Sequence, residues 1–418
     1  MRVGWCCLEG TNTWETASTL GTNIIIRVPM FNRFLWHGDS IEWFGLRKES
    51  HLLEGVKYLD IRPHEGTRAL VMSSIRDATK LWKAGDVKNP HNLTMSKWIS
   101  TTAIRHCLKH LERNPLPKID FLFAEYMDNG MSQIVYFSVL LLYYAKRDIP
   151  LYVRDTEHKF RYISELDKLH DTPRDNMYSH RLGRYVAESD IQSLRGKIRM
   201  VYAWDNPLWD TGTDGFYKTP SVSLPVIYDP KRELPIQPVD VRKTPVVYIG
   251  NDNDRRPMFQ TYYGGLKYRA EIYGNWNRRA ADFVAQMADI NPKVRFNDPI
   301  PQHLMLPRLA HSLSTVFVTK KIYKAVGQIT DRACEVSLAG AVAVTPSEIS
   351  NAGVWTLPEF IVGGVADMNR AIKSISRLSD KQYASVIKDQ RKVISKHYDA
   401  DFVMSDFIDV LISDGVRP

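Results

Sequence analysis

Residues 319–346 read TKKIYKAVGQITDRACEVSLAGAVAVTP. Two lysines and a glycine-containing loop open the stretch. A helical run, ITDRACEVSLAG, follows, and a short apolar strand, AVAVTP, closes it. Gly340 stands between helix and strand, where a helix C-terminus favours glycine. Loop, helix, tight turn and buried strand in that order predict one half of a nucleotide-binding α/β domain. The chemistry agrees with the pattern. Backbone N–H groups at a helix start can hold phosphate oxygens. A lysine just upstream adds charge, and a carboxylate one turn into the helix can bind a ribose diol.

Thr330, Asp331, Arg332, Glu335 and Gly340 are the residues that matter in this stretch. Their spacing resembles the donor-binding motif of GT-B glycosyltransferases, (T/D)R-x-x-E-x-x-x-x-G. The resemblance implies that Glu335 holds the ribose hydroxyls of a nucleotide sugar, with Arg332 and Lys320 facing phosphate or sugar. The retaining branch of the family carries an earlier glutamate eight residues before. Gly327 occupies that position here, followed by Gln328, so inverting and retaining outcomes both stay open. An ordinary amphipathic helix with one exposed glutamate would also explain the spacing, because short motifs recur by chance. The order of elements along the chain separates the two.

A length of 418 residues, 44% of them hydrophobic, predicts two or three domains with true cores and excludes a disordered or fibrous chain. The longest apolar run, IVYFSVLLLYYA from Ile134, has the length of a buried helix and not of a membrane span. MRVGWCC at the N-terminus lacks a signal-peptide pattern. The four cysteines, Cys6, Cys7, Cys107 and Cys334, form no C-x-x-C pair, which predicts a reduced cytoplasmic protein, in the host cytoplasm if viral, with no zinc site. The net charge of +9 favours a polyanionic partner. Leu46 to Lys118 holds 14 Lys and Arg against 7 acids, and Arg242 to Arg279 holds 8 against 3.

Strand signals and helical patterns alternate along both halves. Arg2 to Cys7 predicts a first buried strand. GTNIIIRVPMFNRFLWHG predicts a helix ending at Gly38, and DSIEWFG the next strand. In the harder stretch from Leu46 to Pro117, YLDIRP and RALVMSS read as strands and TMSKWISTTAIRHCLKHLER as a helix. The basic stretch DATKLWKAGDVKNPHN lies between them. IDFLFAEYM, IPLYVRDTEH and KIRMVYAWDNP are further strands. Leu224 to Pro245 holds five prolines and predicts a stiff extended linker. The pattern then restarts with VVYIG and RAEIYGNW and runs on to a long helical tail from Met368. The whole is expected to be two Rossmann-like doubly wound domains, the GT-B arrangement, with a C-terminal helix crossing back. Expected bounds are 1–235 for the acceptor half, 236–395 for the donor half and 396–418 for the returning helix.

Ligands of open α/β sheets bind outside the carboxyl ends of the strands, so the site is expected between the halves. On the donor side Gly250 follows a strand, and Arg255 and Arg256 follow within a few residues. Arginine forks match phosphate oxygens. Tyr273, Gly274 and Asn275 end the next strand and, by the resemblance, lie near base or sugar. On the acceptor side, inversion at a sugar carbon needs a general base. Asp128 is the first candidate, with Asp155, Glu157 and His158 as the others. A helix N-cap would equally explain Asp128. Glu9 and Gly10 could line the acceptor or sugar pocket. Asp252 and Asp254 have a D-x-D spacing, but paired arginines serve the same charge, and no metal site is expected.

The resemblance implies a nucleotide sugar, UDP-sugar foremost, as donor substrate and no tightly bound cofactor. For the acceptor, Lys80, Lys83, Lys88 and Lys97 with interleaved Trp82 and Trp98 suit nucleic acid. The broader pattern is similar to phage DNA glycosyltransferases, which implies hydroxymethylpyrimidine in double-stranded DNA as acceptor, reached by base flipping. A transferase for a glycan, protein or small molecule, a nucleotide-sugar epimerase and a non-catalytic DNA-binding module are the alternatives.

Overall fold

The structure, a computed structural model, describes residues 1–7, 40–45, 56–63, 65–85, 90–125, 131–154, 186–202, 220–242, 244–251, 255–326 and 328–416. The first half supplies β1 (Arg2–Cys7), β2 (Ser40–Gly45), β3 (Val56–Asp60), β4 (Phe121–Glu125), β5 (Leu151–Arg154), β6 (Ile198–Tyr202) and β7 (Val222–Ser223). Its described helices are α1 (Glu65–Gly85), α2 (Pro90–Arg113), α3 (Met131–Ala145) and α4 (Glu188–Leu194). The second half supplies β8 (Thr244–Ile249), β9 (Ala270–Tyr273), β10 (Val294–Asn297), β11 (Ser312–Val316), β12 (Val342–Pro346) and β13 (Ile361–Val362). Besides the single turn Trp276–Arg279, its helices are α5 (Arg256–Gly264), α6 (Ala281–Ile290), α7 (Gln302–Ala310), α8 (Lys321–Val326), α9 (Asp331–Ala339), α10 (Val365–Ile375), α11 (Asp380–Tyr398) and α12 (Ala400–Ser413).

Two parallel sheets result. The first has seven strands in the order β3-β2-β1-β4-β5-β6-β7, the second six in the order β10-β9-β8-β11-β12-β13. Each order reverses once, between β1 and β4 and between β8 and β11, and each reversal opens a crevice at the strand ends. This is the expected pair of doubly wound α/β domains. Strands such as FLFAE in β4 and VAVTP in β12 are buried throughout, as parallel strands covered on both faces must be.

The sequence misreads the opening of its deciding stretch, where Lys321–Val326 is a helix and not loop, and one further element. RALVMSS is not a strand but lies inside α1, and the basic stretch after it continues that helix to Gly85. A short apolar run cannot distinguish the two periods. Val71, Ile75 and Ala78, at helical spacing, are the residues that α1 buries. The proline-rich segment is also shorter than expected, since Thr244 and Pro245 already belong to β8. The region expected to be a helix ending at Gly38 lies outside the described residues.

One face of the first sheet packs under α1, α2 and α3. The other face carries Val3, Trp5, Phe121, Phe123 and Tyr152, and it meets α12 through Met404, Phe407 and Leu411. The Phe407 ring stands edge-on to Phe123 at 5.6 Å and to Tyr152 at 5.9 Å. Asp414, just past α12, accepts from the Tyr152 hydroxyl and pairs with Arg199. The segment between the sheets is pinned rather than free. Tyr228 exchanges backbone bonds with Tyr398 and Ala400, and Leu234 N–H donates to the Leu338 carbonyl at 2.8 Å. No described helix is long and apolar enough to cross a membrane.

Candidate active site between the sheets

At the carboxyl ends of β8 and β9 two loops lock into each other. The Gly250 N–H donates to the Tyr273 carbonyl (2.8 Å), and the Asn275 N–H donates to Asn251 Oδ1 (2.9 Å). The Trp276 indole donates to the Gly250 carbonyl at 2.6 Å. A Cβ at Gly274 would sit 2.3 Å from that carbonyl oxygen, so only glycine permits the approach. Gly250 does a related job, because a Cβ there would meet Tyr248 at 2.9 Å and Arg332 Nη2 at 3.1 Å. Arg332 from α9 thus reaches the loop after β8, over the Tyr248 ring. Arg255 joins the same knot by donating to the Asn251 carbonyl at 3.1 Å.

The helix α9 begins beside this knot. Thr330 is its N-cap residue, without a side-chain cap bond, and Gly340 ends it in the left-handed conformation at φ 73°. Everything from Ala333 to Ala339 is buried, which makes Glu335 unusual. Its carboxylate is fully buried, and among the described residues neither oxygen has a hydrogen-bond partner. The nearest cation is Arg332, with Nη1 3.3 Å from Oε2, and that nitrogen is likewise without a hydrogen bond. Burial raises the Glu335 pKa, while Arg332 and Arg232 act to lower it. Arg232 comes from the single turn Pro230–Arg232 in the segment between the sheets, and its Nη1 is buried without a hydrogen bond. A buried, unsatisfied polar group costs roughly 1–3 kcal/mol, more when it is charged, and a ligand's hydroxyls could satisfy this one.

The first sheet supplies the opposing wall. Glu125 ends β4 and Arg154 ends β5; they are neighbours in register, both buried, with 3.8 Å between charges. Asp331, the first residue of α9, feels both. Burial raises its carboxyl to about 8, Glu335 and Glu125 push the same way, and Arg154 and Arg332 oppose. Asp331 keeps partial solvent access, so it lines the crevice instead of lying under it. Five charged groups from both sheets, Glu125, Arg154, Asp331, Arg332 and Glu335, therefore converge on one cleft, with Arg232 beside them. Such an arrangement can bind a nucleoside diphosphate: hydroxyls on Glu335, phosphate oxygens on arginine and on the free N–H groups of the α9 start.

The sequence-predicted donor residues divide. Gly250, Arg255, Gly274, Asn275, Thr330, Asp331, Arg332 and Glu335 come together. Lys320 is buried near them, its Nζ 4.9 Å from the Tyr323 ring centre. Tyr273 is engaged elsewhere, its hydroxyl donating to Glu271 at 2.7 Å and its ring facing Arg308. Arg256 pairs with Asp282 at 3.3 Å and lies over Phe283 on α6. On the acceptor side Lys80 is exposed on α1 and Lys97 half-buried on α2. Glu9, Gly10, Lys88, Asp128, Asp155, Glu157, His158, Asp252 and Asp254 lie outside the described residues, as does the side chain of Lys83. Among the described residues no group of three or more His, Cys, Asp and Glu gathers as a metal site would require. Sequence reasoning missed Glu125, Arg154 and Arg232. The first two are single charges ending apolar strands, and that position was the available signal.

No family model matches the chain, and no curated protein matches it by sequence. Solved structures do match in shape. T4 phage BGT in complex with UDP-glucose aligns over 97% of this chain and 98% of its own, with a TM-score of 0.53 and 12% identity. Sucrose-phosphate synthase from Thermosynechococcus elongatus aligns over 99% and 98%, with a TM-score of 0.60 and 10% identity. The trehalose-6-phosphate synthase OtsA aligns over 98% and 99%, with a TM-score of 0.57 and 12% identity. The chain has two switch-point sheets and a helix returning to the first of them, and alignments that span nearly every residue show its fold to be GT-B.

Proposed function

We propose that the chain is a glycosyltransferase that takes a nucleotide sugar, a UDP-sugar, as donor and transfers the sugar to a hydroxyl. The observation that carries this reading is Glu335, a fully buried carboxylate without a hydrogen bond in the spot where the fold brings both sheets' strand ends together. In the reaction a general base takes the acceptor hydroxyl's proton. The oxygen bonds to the sugar's anomeric carbon, and the bond from that carbon to the diphosphate breaks. The nucleoside diphosphate leaves with the electron pair, and Arg332 and the α9 start stabilise the charge it gains. Asp128 is the proposed base, three residues past Glu125 in sequence, with Asp155, Glu157 and His158, just past β5 in sequence, as alternatives.

For the acceptor we favour a hydroxymethylated pyrimidine of duplex DNA. T4 phage BGT, a DNA-modifying enzyme, has this chain's fold over nearly its whole length, and this chain is basic. The synthases, one of them with the higher TM-score of 0.60, favour a small sugar-phosphate acceptor as the second reading. Incubation with a panel of nucleotide sugars and either hydroxymethylated DNA or sugar phosphates, followed by mass spectrometry, decides. Sugar mass on DNA supports the first reading, sugar mass on a small acceptor the second. No transfer, with the nucleotide sugar isomerised instead, overturns both.

A further inference from the structure

The hairpin of α1 and α2 contributes none of the cleft residues named above. It holds eight Lys and Arg against three acids, more than half of the chain's net charge of +9. Among the described residues nine large apolar side chains are exposed, and four of them are on this hairpin: Leu70, Met72, Met95 and Trp98. Trp98 is 64% exposed, the most of any.

The placement is ordered. On α2, Met95, Trp98, Thr102, Arg105 and Lys109 follow alternating spacings of three and four, which puts them on one seam. Ser100, Ile104, Cys107 and Leu111 fill the buried side of that helix. On α1, Arg68, Met72, Arg76 and Lys80 recur every fourth residue, exposed, while Val71, Ile75 and Ala78 are buried. Ser96 Oγ donates to the Ala78 carbonyl at 3.0 Å and sets the antiparallel level. Trp98 therefore comes level with Arg76, and Thr102 with Met72. Arg68 to Lys80 covers about 18 Å of helix, roughly five phosphate spacings of one DNA strand.

A solvated face explains the cations but not an exposed tryptophan and three more large apolar side chains among them. An interface between copies of a protein is depleted in lysine at its centre. Cations interleaved with aromatic surface are the combination that grips nucleic acid, charge on phosphate and ring on sugar or base. We propose that the outer face of the α1–α2 hairpin is a docking surface for duplex DNA. Arg68, Arg76, Lys80, Arg105 and Lys109 hold phosphates there, and Trp98 with Met95 seats against sugars and base edges. The choice of DNA as partner rests on the acceptor reading above; the surface itself does not.

The test is fluorescence anisotropy with a labelled, unmodified duplex at several salt concentrations and without donor, so that binding is scored apart from transfer. Arg68→Ala/Arg76→Ala/Arg105→Ala/Lys109→Ala is expected to flatten the log–log salt slope by about 0.9 for each phosphate that the variant no longer neutralises. Trp98→Ala is expected to weaken binding several-fold at fixed salt with the slope unchanged, because an apolar contact to sugars and base edges displaces no counterion. Circular dichroism and UDP titration of the same variants check that they fold. Wild-type affinity and slope in the quadruple variant overturn the proposal, and wild-type affinity in Trp98→Ala removes the aromatic part. Loss of duplex binding in the variants, with no sugar ever placed on DNA by the wild type, sinks the acceptor reading and leaves this surface standing. Sugar placed on DNA with variants that bind as wild type does the reverse.

Discussion

Glu335 opposes the stability of the unliganded protein. Its carboxylate is removed from water and, among the described residues, has no hydrogen bond, with Arg332 and Arg232 as the cations that act on it. Removing the charge while keeping the shape should relieve that cost, so Glu335→Gln is expected to melt no lower than wild type. The same change should weaken UDP binding at least tenfold, because a charge-assisted hydrogen bond contributes roughly 1.5–3 kcal/mol. Calorimetric titration and thermal melts of one sample read both. Intact UDP affinity with a lowered melting temperature would make Glu335 structural. Asp331, four residues earlier, carries a pH signature. Its carboxyl rises from 3.8 to about 8 in the folded chain. Between those values the folded state holds a proton that the unfolded state has released, so stability falls as pH rises. Asp331→Asn removes that titration. Its melting temperature is expected to drop less than that of wild type between pH 5 and pH 8, and equal drops would refute the shift.

At the scale of elements, α9 shows what a local reading can reach. Its start at Asp331, its glycine stop and the strand after it all follow from residues within one stretch. Gly340 is in the left-handed region, and a Cβ there would find nothing closer than 3.5 Å. Gly340→Ala should therefore cost backbone strain alone, about 1–2 kcal/mol, measured by urea unfolding. A loss near zero would mean the cap relaxes. The same reading failed where information was not local. RALVMSS fits a strand or a helix until its partner helix is known, since burial of Val71 and Ile75 depends on α2 and α3. Glu125 and Arg154 are unremarkable in sequence; only the register of β4 against β5 and the approach of α9 make them a pair facing Asp331. Tyr273 and Arg256 show another thing that spacing does not reveal. Both lie beside the right strand ends, yet nearer partners, Glu271 and Asp282, take their side chains.

For the whole molecule, the telling feature is where the chain passes between the sheets. It does so at 224–242 and again near Tyr398–Ala400, and the two passes are hydrogen-bonded to each other through Tyr228. Two crossings tied at one place are the expected site of a hinge, and turning there must slide α12 and the segment between the sheets over the apolar cluster they share. Asp414 and Phe407 fix α12 to the first sheet, so α12 should move with that half. The cleft itself supplies a reason to close. Arg154 on one wall and Arg332 on the other both carry positive charge toward a space that a diphosphate would fill, and the phosphates would draw the walls together. Saturating UDP is therefore expected to reduce the radius of gyration in small-angle scattering, with chain mass unchanged. Glu335→Gln at the same UDP concentration should stay at the unliganded value, and should compact only when UDP is raised to saturate it. An unchanged radius in wild type, with occupancy verified by calorimetry on the same sample, would mean the hinge is a fixed joint and the cleft is already at its working width.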